Sequence, residues 1–129
     1  MKIIITERQQ KLISEDEDRD FLVKKKIAKK ELTKKFGDLT PVEDKRYPKS
    51  IFYVDKNNQT YLEYIKKPHY VFVDYHTIWL FLKEIFNLNY EQIQQVTKEW
   101  FKEHYNLEVK QVNVLNSKEE KSWENLKNR

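Results

Sequence analysis

A single glycine, Gly37, serves the whole of this 129-residue chain. Glycine opens left-handed backbone and lets a main chain close around a phosphate. A chain with one glycine must turn by asparagine, aspartate and proline, and it carries no glycine-rich phosphate loop. Cysteine is absent, which removes thiolate nucleophiles, disulfides and cysteine-bound metal. What remains for specific contact is aromatic: eight tyrosines, seven phenylalanines and three tryptophans. These limits point away from catalysis and towards a part that packs against other proteins.

At this length one domain is the default, with a core large enough to fold without covalent or metal staples. Hydrophobic residues make up 39% and charged residues 36%, a polar balance that still leaves clear apolar segments and argues against global disorder. No apolar run approaches the roughly 20 residues that span a bilayer, so a soluble intracellular product with no membrane partner is expected. The 25 basic and 21 acidic residues leave a net charge of +4, which permits nucleic-acid contact without requiring it.

Along the chain, residues 1–20 read as an N-terminal arm or linker. Ile3 to Ile5 suit a short strand or anchor, Thr6 with Gln9 has capping-box spacing for a helical turn reaching Ser14, and Glu15 to Asp20 form an acidic run. From Phe21 to Phe36 apolar residues recur at helical spacing, with Val23 and Ile27 beside Phe21, Ala28, Leu32 and Phe36, and stop at Gly37 as a C-terminal cap. The stretch Asp38 to Ser50, with Pro41 and Pro48, reads as an irregular connection.

Ile51–Val54 and Thr60–Ile65 are β-branched and aromatic and flank Lys56-Asn57-Asn58-Gln59, which predicts a hairpin. After Pro68, His69–Asp74 is apolar on both faces and predicts a third strand covered on both sides. Ile78 to Asn87 and a helix capped by Asn89 and Gln92, with the stripe Ile93, Val96, Trp100 and His104, form a tight helix pair. Leu107–Leu115 predicts a fourth strand. Residues 116–129 supply a short C-terminal helix or tail, started by Ser117 with Glu120 and carrying Trp123 and Leu126. The expectation is one α+β domain with a small, mainly antiparallel sheet and about four helices packed mostly on one face.

Several constellations raise chemistry and then fail on spacing. Asp16, Asp18 and Asp20 alternate like a calcium loop, but Phe21 and Ile27 stand where glycine and glutamate belong. His69, Asp74, His76 and His104 lack the spacing of a metal site. Asp55, Glu63 and Lys66 suggest a restriction-type nuclease, yet a step of three along a strand turns the lysine to the other face. Ser14, Ser50, Ser117 and Ser122 sit in polar turns without a paired histidine. No catalytic, cofactor or metal residue is assigned.

Two binding surfaces are stronger. The lysine-rich helix offers Lys25, Lys29 and Lys30 to phosphate, although the helix dipole alone favours lysines near its end and the acidic run can neutralise them. The helix pair has the joint of a helix-turn-helix, with Glu91, Gln94, Gln95 and Lys98 as base readers, but its charge is near neutral where a duplex demands a positive helix. Tyrosines decorate the hairpin and third strand, and tyrosine suits both a core edge and an interface. Four modest helices must cover two sheet faces, so another subunit is expected to close part of the tyrosine face. Tyr53, Tyr61, Tyr64 and Trp123 are the expected anchors.

The opening Met1-Lys2-Ile3-Ile4-Ile5-Thr6-Glu7-Arg8-Gln9-Gln10-Lys11-Leu12-Ile13, and the stretch Tyr70-Val71-Phe72-Val73-Asp74-Tyr75 with the helix pair after it through Asn106, resemble small proteins of tailed bacteriophages of low-GC hosts, the crAss-like group among them. These segments cover under half the chain, and the resemblance implies a phage setting and no site. The function expected is a non-enzymatic virion component, such as a connector, ring, decoration or packaged protein. It would contact other virion proteins or itself, in the virion and in the host cytoplasm during assembly. The alternative is a phage accessory protein that binds nucleic acid or a host factor through the lysine helix.

Overall fold

A computed structural model describes residues 7–116 and 120–127, with side chains described in 19–116 and 120–127. Helix α1, Glu7–Phe36, is followed by strands β1 (Thr40–Asp44), β2 (Tyr47–Val54), β3 (Thr60–Ile65) and β4 (Tyr70–Asp74). Two π-helical segments, Tyr75–Trp79 and Phe81–Ile85, lead to α2 (Tyr90–Tyr105), then β5 (Gln111–Leu115) and α3 (Lys121–Lys127). The five strands form one sheet in the order β1-β2-β3-β4-β5, antiparallel except for the parallel β4–β5 pair. The class is α+β, as the residue pattern predicts, with one strand more than expected.

Local chemistry explains most element ends. Asn58, at φ 62°, turns the β2–β3 hairpin, where the Asp55 carboxylate accepts from the backbone N–H groups of Asn57 and Gln59. The Asn89 side chain accepts from the Gln92 backbone while the Gln92 amide oxygen accepts from the Asn89 N–H, so the capping box at α2 is complete. Gly37 ends α1 for a reason other than left-handed backbone, since its φ is not positive. A Cβ there would lie 2.3 Å from the Thr33 carbonyl oxygen, so the position admits no side chain.

Three readings of the sequence are corrected. The acidic run is not a connection: the backbone is one helix from Glu7 through to Phe36. The Asp38–Ser50 stretch contains β1 and the start of β2. They turn at Lys45-Arg46, where Asp44 accepts from the Arg46 backbone and guanidinium at 2.8–3.0 Å. Pro41 is tolerated because β1 is the sheet's edge. The helix expected over Ile78–Asn87 is two wide π-helical segments that begin earlier, at Tyr75. The expected strand at Ile3 to Ile5 and the caps Thr6 and Ser117 lie outside the described residues.

Period-2 alternation divides the sheet. Tyr53, Leu62, Tyr64, Val71, Val73 and Val112 pack with α1, α2 and the π-helical segments, through Ala28, Leu32, Ile78, Leu82, Val96 and Phe101. Phe52 and Val54 point the other way and pack with Trp123 and Leu126 of α3, with Phe72 and Leu115 alongside. Both faces of β4 are therefore covered, as its two-sided apolar sequence requires.

Candidate functional site

The tyrosine face is occupied by the chain itself. Tyr53, Tyr64 and Trp123 retain 2%, 3% and 1% of their surface. The Tyr53 ring meets Phe101 edge-on at 5.5 Å and Tyr105 at 4.5 Å. Tyr64 stacks near Phe101, and its hydroxyl donates to the Glu108 carbonyl at 2.9 Å. With that proton committed, the 2.8 Å contact to His69 Nδ1 is a bond in which the imidazole N–H donates to the phenol. Tyr61 is the extra residue of a β-bulge opposite Tyr53 and Val54, which swings its half-buried ring against Phe36 and its hydroxyl onto Asp55 at 3.1 Å.

Burial, with Tyr64 nearby, pushes the Tyr53 phenol up to about 12, and burial followed by the Asp55 contact raises Tyr61. Trp123 lies on the opposite face, where its indole N–H donates to Glu63 at 2.7 Å and Ser50 donates to the other carboxylate oxygen at 2.7 Å. The expectation that these four residues anchor a partner is thus corrected. Helices α1 and α2 close one face and α3 the other, so Tyr53, Tyr64 and Trp123 have no surface to offer and Tyr61 offers little.

The lysine surface is corrected as well. Lys25 pairs with Glu99 of α2 at 3.1 Å, and Lys29 with Glu103 at 2.9 Å and Glu99 at 3.7 Å. Among the described side chains the acids facing these lysines come from α2, while Asp20 of the acidic run reaches Lys24 at 3.3 Å. Burial works to raise the Glu99 carboxyl, but the contacts of Lys25 and Gln95 and the charge of Lys29 outweigh it and hold the group below its ordinary value. Of the three lysines proposed to hold phosphate, Lys30 alone stands exposed, next to Lys26 in a shallow groove between α1 and α2.

The helix-turn-helix reading fails on Gln94. This side chain is buried against β5, where its amide NH2 donates to the Val112 carbonyl and its oxygen accepts from the Val112 N–H at 2.9 Å. The residue pencilled for a base edge instead closes the outer edge of the sheet at Val112. Asp55, Glu63 and Lys66 are dispersed, Asp55 to the hairpin turn, Glu63 to the α3 contact and Lys66 to an ion pair with Glu43. Ser50 is a β2 residue rather than a turn residue. Among the described residues no group of three His, Asp or Glu side chains gathers to hold a metal.

Large apolar side chains are left uncovered at Ile85 and Tyr90 and along α1. On α1, Val23 and Ile27 expose 60% and 48% of their surface, and Leu22, about 100° round the helix from Val23, exposes 53%, although the core beneath the helix is complete. At about 100° per residue, Ala28, Leu32 and Phe36 face the sheet, and Val23 falls on the far side of the helix. The exposed Lys30 and Lys34 follow Val23 and Ile27 along that side, and the exposed Asp20 precedes them. The signal was present in the sequence: Val23 is five residues before Ala28, which no single helical stripe can join. No known family model, curated protein or solved structure matches the chain.

Proposed function

We propose that the protein is a non-enzymatic assembly component, of the connector, ring, decoration or packaged kind in a phage virion, and that it acts through the outer side of α1. The observation that carries this reading is the exposure of Val23 and Ile27, neighbours on the outward side of one helix, in a molecule whose own core is already closed. Single exposed apolar residues need no explanation, whereas adjoining ones rimmed by charge mark a contact surface. The phage setting is supported by the resemblance of residues 1–13 and of 70–75 with the helix pair through Asn106 to small tailed-phage proteins. Binding of nucleic acid through the lysines has less support, because Lys25 and Lys29 are committed to Glu99 and Glu103.

Quantitative mass spectrometry of purified virions tests the reading. The chain is expected at a fixed copy number per particle, and a folded Val23→Glu/Ile27→Glu variant is expected to be lost from particles. Absence of the wild-type chain overturns the proposal, as does DNA binding that falls steeply with salt and disappears in Lys30→Glu.

A further inference from the structure

We infer that the outer side of α1 pairs with the same side of a second copy of the chain, antiparallel, about a two-fold axis level with Lys25. The inference rests on the reading of this surface given above and names its occupant. The seam runs through positions 20, 23, 27 and 30, alternate steps of three and four that keep to one side of a helix. Its residues read Asp, Val, Ile, Lys, all within α1. Each residue of this seam has a complement equally far beyond Lys25: Val23 with Ile27, and Asp20 with Lys30.

A two-fold, antiparallel pairing therefore sets apolar on apolar at the centre and acid on base at both ends, which is the self-complementarity an isologous interface needs. Parallel pairing sets Asp20 on Asp20 and Lys30 on Lys30, and like charges repel. The side chains are placed for this use. Asp20, Val23, Ile27 and Lys30 are all exposed, and Asp20 keeps most of its carboxylate in solvent beside Lys24. The lysines turned inward, Lys25 and Lys29, have their acids on α2, so the outward charges are balanced by no other element of the described molecule along this seam. From position 20 to 30 the helix advances about 15 Å, and a contact of this length falls among small, reversible interfaces.

The test is sedimentation velocity of the purified full chain over a range of concentrations. A concentration-dependent dimer is expected, with a dissociation constant on the order of 10 μM that rises with salt. Asp20→Lys alone and Lys30→Asp alone should each weaken the dimer about tenfold or more by facing like charges, and the double exchange should restore it to within about threefold. Because the sequence contains no cysteine, orientation can be read by cross-linking. Val23→Cys chains mixed with Ile27→Cys chains should form the mixed disulfide in preference to either symmetric one.

A monomer at every concentration, a double exchange no better than the single ones, or preferred symmetric disulfides overturns the pairing. Should the chain prove monomeric while Val23→Glu/Ile27→Glu still removes it from virions, the contact surface stands and its occupant is another protein.

Discussion

Replacing Trp123 by phenylalanine separates the polar from the apolar part of the contact that holds α3 to the sheet. The indole N–H donates to a Glu63 oxygen at 2.7 Å, and Glu63 is itself buried, so water is poorly placed to substitute for the lost donor. A hydrogen bond to a charged group is worth about 1.5–3 kcal/mol when its buried partner is left behind. The smaller ring adds about 1 kcal/mol for the unfilled volume.

Trp123→Phe is therefore expected to destabilise the protein by about 2.5–4 kcal/mol, read by urea denaturation at neutral pH. In a Glu63→Leu background the acceptor is gone, and the same substitution should cost only about 1 kcal/mol. Ser50 loses its acceptor in both members of that second pair, so its contribution cancels. Equal costs in the two backgrounds would show that the carboxylate contributes nothing to the docking of α3, and the reasoning would fail.

Gly37→Ala drives a Cβ to within 2.3 Å of the Thr33 carbonyl and should cost about 1–3 kcal/mol in chemical denaturation. Gln94→Leu leaves the Val112 N–H and carbonyl unpaired, and hydrogen exchange at the Val112 amide should accelerate well beyond that of its neighbours on β4. The Tyr53 phenol keeps its proton to about 12 in the folded state, against 10 when unfolded. Its contribution to stability is complete below pH 10 and declines as pH rises from 10 to 12, by about 2 kcal/mol from Tyr53 alone. Denaturant midpoints at pH 9 and pH 11.5 check the sign, which reverses if the phenol is ionised in the fold.

Elements whose signal is local were legible in the residues. The hairpin around Asn57-Asn58, the two-faced β4 and the Asn89–Gln92 box each follow from a few adjacent side chains. Strand β1 was not legible, because an edge strand contacts one neighbour and its polar, proline-bearing sequence carries no alternation. The acidic part of α1, residues 15–20, is equally silent, since a run of acids has no apolar period, whereas the helical turn ahead of it was expected as far as Ser14. The fate of the tyrosines depends on which helix lands on which sheet face. The fate of Lys29 depends on Glu103, 74 residues away. Neither distance leaves a trace in local pattern. Val23 and Ile27 show the opposite case: grouped with the core stripe on sequence, they have a phase on the helix that sets them on a second face.

Sheet and α3 are separated in time as well as in sequence. Trp123 and Leu126 follow all five strands along the chain, so during synthesis Phe52 and Val54 of β2 leave the ribosome about 70 residues ahead of the helix that covers them. Nascent protein in that interval displays greasy strand surface of the type that chaperones capture. Arrival of the last helical turns, latched by one indole on one carboxylate, ends the exposure.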